Sequence, residues 1–204
     1  MSSTAFTNIA TLVTNDPNIG EGSLGILNDA TVVIEDSQIK FVGKGSQTGV
    51  DNEIDCSGKT LLPGFVDSHT HLIFAGDRSQ EFSARSRGEK YTAGGITTTV
   101  AATRQASNMD LQNNAQRLLN EALSYGTTTV EIKSGYGLNE LDEARSIEIA
   151  SEFTSETTLL AAHVVPAEFK DDVDGYVDLI VTKIIPVTKA KWIDVFCDTG
   201  AFSE

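Results

Sequence analysis

The chain has 204 residues, with 15 Lys and Arg against 29 Asp and Glu, a formal net charge of −14. Binding a phosphate backbone needs clustered basic side chains, so this balance argues against a nucleic-acid partner. With 40% apolar and 22% charged residues the chain can bury a sizeable core and does not read as disordered. No stretch approaches the roughly 20 apolar residues that span a bilayer. Met1 to Ile9 lacks a basic region leading into an apolar run, so it does not read as a secretory leader. Cys56 and Cys197 are the only cysteines and stand in no metal-like spacing, which fits a reducing compartment. The expectation is a soluble cytoplasmic protein with no membrane or nucleic-acid partner.

From Thr7 to about Leu62 the pattern is of short strands and turns. Ala30–Glu35 is β-branched and apolar, and Gln38–Val42 alternates with period two. Asp36 and Ser37 between them suit a two-residue hairpin, although they are not the favoured Asn-Gly or Asp-Gly. Gly43, Gly45 and Gly49 break the chain into loop, and Glu53–Cys56 reads as a further short strand. Residues 1–62 are thus expected to form a small, incomplete β-rich domain, because so few strands leave exposed edges.

After Pro63-Gly64 the pattern changes. Phe65–Phe74 reads as a strand running into a loop, and Thr127–Lys133, Thr157–Val164 and Trp192–Cys197 are three later strands. Between them lie helical stripes. Leu111, Ala115, Leu118, Leu119 and Ala122 form one, capped at Ser107 or Asn108 and closed by Gly126. Leu141, Ala144, Ile147 and Ala150 form a second, and Val173, Tyr176, Val177, Ile180 and Ile184 a third. Gly95–Thr103 is compatible with either strand or helix. Strands recurring about every 30 residues, alternating with helices, point to an α/β fold with a parallel sheet, open or closed into a barrel.

The sharpest chemical feature is His69-Thr-His71 at the end of an apolar strand. Residues two apart on a strand face the same way, so two imidazoles there suit one metal ion. A bare pair of this kind is more often two loop residues; here it closes the run Pro63-Gly-Phe-Val-Asp-Ser-His-Thr-His71 behind a small β-rich region. Tyr136 stands between Gly135 and Gly137 at a strand exit, where it either contacts a ligand or packs on a rim. His163 ends a strand and on its own reads more simply as a hydrogen-bonded core histidine. Arg78 reads more simply as a surface or loop-bracing arginine, like Arg85, Arg87 and Arg104. Glu131 and Lys133 share a strand face, as either an inner ion pair or site residues, and are left structural; Asp194 and Asp198 have no assigned role, with turn chemistry accounting for Asp198.

Five further blocks bear on these choices: Phe74–Ser79, Thr92–Arg104, Gly126–Leu138, Ala161–Pro166 and Trp192–Phe202. Together with Pro63–His71 they resemble the imidazolonepropionase family of metal-dependent amidohydrolases, in order from about Pro63 onward, while residues before Pro63 match only amidohydrolases in general. The resemblance implies a TIM-type (β/α)₈ barrel, of which residues 63–204 would be the first half, about four βα units. It implies that residues 1–62 are the amino-terminal part of a β-sandwich-like domain. It implies one divalent ion, zinc or iron, held by His69 and His71, and a substrate, 4-imidazolone-5-propanoate, bound by Arg78, Tyr136 and His163. Ring opening to N-formimidoyl-L-glutamate in histidine degradation would follow. The family's third metal-binding His, catalytic Glu and metal-binding Asp would fall beyond residue 204, so no catalytic residue is expected within the chain. A homodimer is common in the family, and no interface is readable here. A heterocycle deaminase and a non-catalytic truncated chain are the alternatives.

Overall fold

A computed structural model describes residues 2–45, 47–88, 94–198 and 201–202. Thr92 and Ala93 of one family-like block, and Thr199 and Gly200 of another, lie outside the described residues, as does the side chain of Arg85. The fold is mixed α/β and divides into two compact units, Met1–Gly64 and Phe65–Glu204. Among the described residues no helix is long and apolar enough to cross a membrane.

The first unit is a five-stranded sheet. Strands β1 (Ser3–Val13), β2 (Ile26–Glu35) and β3 (Gln38–Lys44) pair antiparallel, while β4 (Asn52–Asp55) and β5 (Thr60–Leu61) both run parallel to β1. The β2–β3 hairpin turns at Asp36 and Ser37, which take φ of 49° and 64°. Two successive positive φ values are what a hairpin of mirror-image turn type requires, so two residues outside the favoured pair still make the turn. Its core is Ile9, Leu12, Ala30, Val32 and Cys56.

The second unit is built on a four-stranded parallel sheet in chain order: β6 (Phe65–Thr70), β7 (Thr127–Lys133), β8 (Thr157–Ala162) and β9 (Trp192–Val195). Three helices separate β6 from β7: α1 (Ser79–Ser86), α2 (Gly94–Gln105) and α3 (Asn108–Ser124). The stretch left open between strand and helix lies in α2, where the Ala-rich half prevails over the β-branched half. Ser107 caps α3 in a reciprocal capping box with Asp110, which satisfies backbone N–H groups that have no partner within the helix.

Helix α4 (Glu140–Ser151) follows β7, and α5 (Val173–Leu179) follows β8, continuing as a π-helical turn through Ile180–Ile184. One stripe is corrected here. Ile147 and Ala150 are buried as expected, but Leu141 is 76% exposed while Asp142, Glu143 and Ser146 are buried. The polar residues turn inward because they bind backbone and neighbouring side chains. The apolar count alone could not register that, and it rotated the inferred face.

Candidate metal centre and substrate cavity

Strand β7 ends at Lys133, and the next five residues, Ser134–Leu138, form a loop around which the candidate residues gather. Gly135 has φ +114°, and a Cβ there would stand 2.9 Å from both His163 Nδ1 and the Leu160 carbonyl. Only glycine accepts that backbone and that approach. Gly137 is equally confined, since a Cβ would meet the Asp142 carbonyl carbon and the Glu143 nitrogen at 2.6 Å. Leu138 takes φ +54°, a strained conformation for a side chain branched beyond Cβ.

The carbonyls of this loop orient two imidazoles. His71 Nδ1 lies 3.0 Å from the Ser134 carbonyl oxygen, and His163 Nδ1 lies 3.0 Å from that of Gly135. A carbonyl can only accept, so each Nδ1 carries the proton and each Nε2 keeps its lone pair. The two rings stack with centroids 5.1 Å apart and planes 15° apart. His69, on β6, has its ring centroid 5.5 Å from that of His71. With metal–nitrogen bonds of about 2.0–2.1 Å, two imidazoles on one ion keep their centroids within roughly 6.5 Å, so this pair is compatible with a shared ion. Strand β6 ends at Thr70, so His71 is presented from the first loop residue rather than from the strand itself. Among the described residues no group of three or more His, Cys, Asp or Glu is arranged to hold a metal.

Tyr136 projects from the same loop, its ring 5.3 Å from His71 and 5.5 Å from His163. His71, Tyr136 and Arg78 line one cavity of about 580 Å³, together with Phe74 and Asn114. His163, the first residue after β8, closes the cluster and meets Phe196 edge-on. The structure thus brings Arg78, Tyr136 and His71 onto one cavity, with His163 stacked behind His71 and His69 on the more exposed flank.

Burial lowers the pKa of His71 to about 4, with repulsion from His163 and His69 adding to it. Burial also lowers that of His163. Both rings are therefore neutral around pH 7, the form in which imidazole binds metal. Deeper in the sheet, Lys133 Nζ sits 2.9 Å from Glu131 Oε1 and 3.0 Å from Asp194 Oδ2. Burial pulls Lys133 down, but its hydrogen bonds to the two carboxylates outweigh it and hold the ammonium above its usual range. Thr158 donates to the same Glu131 oxygen, while Glu131 Oε2 is buried without a hydrogen bond among the described residues. The pair that the sequence left structural is an ion-pair network spanning β7 and β9, with Thr158 on β8 between them.

Two further residues hold the loop from outside the cavity, and the second of them escaped the sequence reading. Arg104, which reads in sequence as a surface or loop-bracing arginine, does brace this loop: it donates from Nε to the Gly137 carbonyl at 2.7 Å and from Nη2 to that of Leu138 at 3.3 Å. Glu143, fully buried, accepts through Oε1 from Gly137 N at 2.9 Å and Leu138 N at 2.7 Å. An acidic residue in the first turn of a helix favours the dipole anyway, so Glu143 carried no distinguishing signal.

Comparisons with known proteins place the chain at two levels of likeness. At the level of class, an amidohydrolase family model matches residues 52–145. A triazine hydrolase variant of known structure superposes with TM-score 0.55 at 18% identity, covering 100% of this chain and 48% of its own. A zinc-containing atrazine chlorohydrolase from Arthrobacter aurescens gives TM-score 0.51 at 22% identity, covering 77% and 35%. At these identities the likeness is one of fold.

More narrowly, the chain is similar to imidazolonepropionases. That of Streptomyces griseus is 53% identical over 206 residues, covering 99% of this chain and 53% of the relative. That of Salinispora tropica is 55% identical over 205 residues, covering 99% and 52%. The chain spans about half the length of the curated relatives it matches.

Proposed function

We propose that this chain supplies the substrate-gripping side and part of the metal site of an imidazolonepropionase-type hydrolase. The reaction is hydrolysis of the cyclic C–N bond of 4-imidazolone-5-propanoate to N-formimidoyl-L-glutamate in histidine degradation. The observation that carries this reading is the convergence of His71, Arg78 and Tyr136 on one cavity with His69 beside it. Relatives at 53% and 55% identity bearing that name support it.

In this reading His69 and His71 hold one divalent ion, zinc or iron, and the donor set fits: two imidazoles side by side, with the His71 Nδ1–H anchored to a carbonyl and its Nε2 lone pair available. When bound, the ion supplies Lewis acidity for attack of water on the ring carbonyl. Arg78 grips the propionate carboxylate, a task for which its planar fork is shaped. Tyr136 and His163 contact the imidazolone ring, the phenol as donor and the imidazole through Nε2. The remaining metal ligands and the proton-transferring carboxylate are assigned to further chain of the kind that gives the relatives their greater length.

The same reading takes residues 63–204 as the first half of a (β/α)₈ barrel and residues 1–62 as part of a β-sandwich-like domain. Strands β6 and β9 support it by exposing Phe65, Val66, Trp192 and Ile193, apolar residues suited to adjoining strands. A cytoplasmic location is consistent with Cys56 and Cys197 being free thiols.

The test is Arg78→Ala in the full-length gene product. Losing a charge-assisted hydrogen-bonded pair of about 1.5–3 kcal/mol should raise KM for imidazolone propionate roughly 10- to 100-fold. Turnover of neutral heterocycles should change little. A metal-loaded full-length enzyme inert on imidazolone propionate but active on a neutral heterocycle would instead indicate a deaminase.

A further inference from the structure

We propose that Arg104 and Glu143 are positioning residues that grip the Ser134–Leu138 backbone from its two sides, and so fix His71, Tyr136 and His163. The loop's polar backbone groups are divided between two tasks. The carbonyls of Ser134 and Gly135 face inward and accept from His71 and His163. The carbonyls of Gly137 and Leu138 face outward to the Arg104 guanidinium, and their N–H groups converge on a single Glu143 oxygen. Gly137 and Leu138 therefore have both donor and acceptor held by side chains from two helices, α2 and α4. Tyr136 lies between the inward and outward pairs, so its direction is set at both ends.

The chemistry of each side chain fits this role better than an ordinary structural one. Helix α4 is already capped by Asn139, whose side chain accepts from Asp142 N at 2.8 Å, so Glu143 is not needed there. Burying a carboxylate completely is costly unless it satisfies groups that nothing else can. Here it satisfies two backbone N–H groups of a loop whose own residue, Leu138, is strained. Arg104 is in turn fixed by Glu168 at 2.7 Å, so its fork does not swing freely. Neither Arg104 nor Glu143 lines the cavity that His71, Arg78 and Tyr136 share. Their effect passes through the carbonyls: if the loop tilts, the acceptors of both Nδ1–H groups move with it.

The consequence for catalysis rests on the hydrolase reading, but the geometry is testable on the metal-free chain. The chain has 3 histidines, so two-bond ¹H–¹⁵N correlation spectra at pH 8 can report each imidazole tautomer separately. The wild-type chain should show His71 and His163 as Nδ1–H forms. Arg104→Ala, at a partly exposed side chain, should lose that signature at both rings while the amide spectrum stays folded. Arg104→Lys, with one donor group for two carbonyls, should fall between. Glu143→Gln, which keeps an acceptor for the two N–H groups, should retain the wild-type pattern. Full Nδ1–H signatures in every folded Arg104 variant would overturn the proposal, and so would a wild-type chain with either ring in the Nε2–H form. Metal titration of the same samples separates this result from failure of the metal site itself.

Discussion

His71 and His163 come from different strand ends, yet their rings stack 5.1 Å apart and both anchor Nδ1 on the carbonyls of consecutive residues, Ser134 and Gly135. One loop thus presents two neutral imidazoles with their Nε2 atoms available, and only His71 also stands beside His69. Divalent-ion titration of the chain should therefore separate the two. His71→Ala and His69→Ala should abolish stoichiometric Zn²⁺ or Co²⁺ binding, whereas His163→Ala should weaken it by no more than about tenfold, as expected of a supporting group. Equal losses from all three substitutions would make His163 a ligand.

Glu143 should give the protein a distinctive pH dependence of stability. Burial pushes its carboxyl pKa up against the opposing backbone N–H groups. A folded-state pKa above the unfolded value means that this site's contribution is fully present below the ordinary glutamate range. It is lost as pH rises through the raised value. Glu143→Gln removes that loss. Thermal melts from about pH 4 to 8 should show the variant gaining on wild type as pH rises, with little difference at the acid end. A pH-independent difference between the two would mean that Glu143 does not titrate upon unfolding in this way.

Gly135 should not tolerate a methyl group. Its φ of +114° is strained for any side chain, and the added Cβ would press on the Leu160 carbonyl and His163 Nδ1 at 2.9 Å. Gly135→Ala should cost about 1–3 kcal/mol in chemical denaturation. It should also displace His163, visible as a shifted imidazole resonance. Wild-type stability with an unmoved His163 resonance would contradict this packing.

Lys133 pairs with two carboxylates, of which Glu131 is the more buried and Asp194 the more exposed. Lys133→Met should destabilise by roughly 3–5 kcal/mol, because Glu131 would remain buried as an uncompensated charge. Adding Glu131→Gln should recover much of the loss. Urea melts of the single and double variants measure this directly, and equal stability of the two would count against a coupled network.

Parts of this arrangement were readable from residue order. The strand at Thr127–Lys133, the cap at Ser107 and the hairpin at Asp36-Ser37 follow from local chemistry, which acts over a few residues. The outward turn of Leu141 was not readable, because polar side chains at 142, 143 and 146 find partners that only the assembled fold supplies. Arg104 illustrates the same limit: its carbonyl partners lie 33 and 34 residues away along the chain.

The sequence by itself determined the alternation of strand and helix and the chemical identities at His69, His71, Tyr136 and Arg78, since periodicity and side-chain type are local properties. Only the tertiary structure decided that His163 stacks on His71, that Arg78 and Tyr136 share a cavity, and that Arg104 and Glu143 hold the loop between them. Those outcomes depend on which backbone groups are left unpaired when parallel strands align, and such groups draw partners from wherever the fold brings them near.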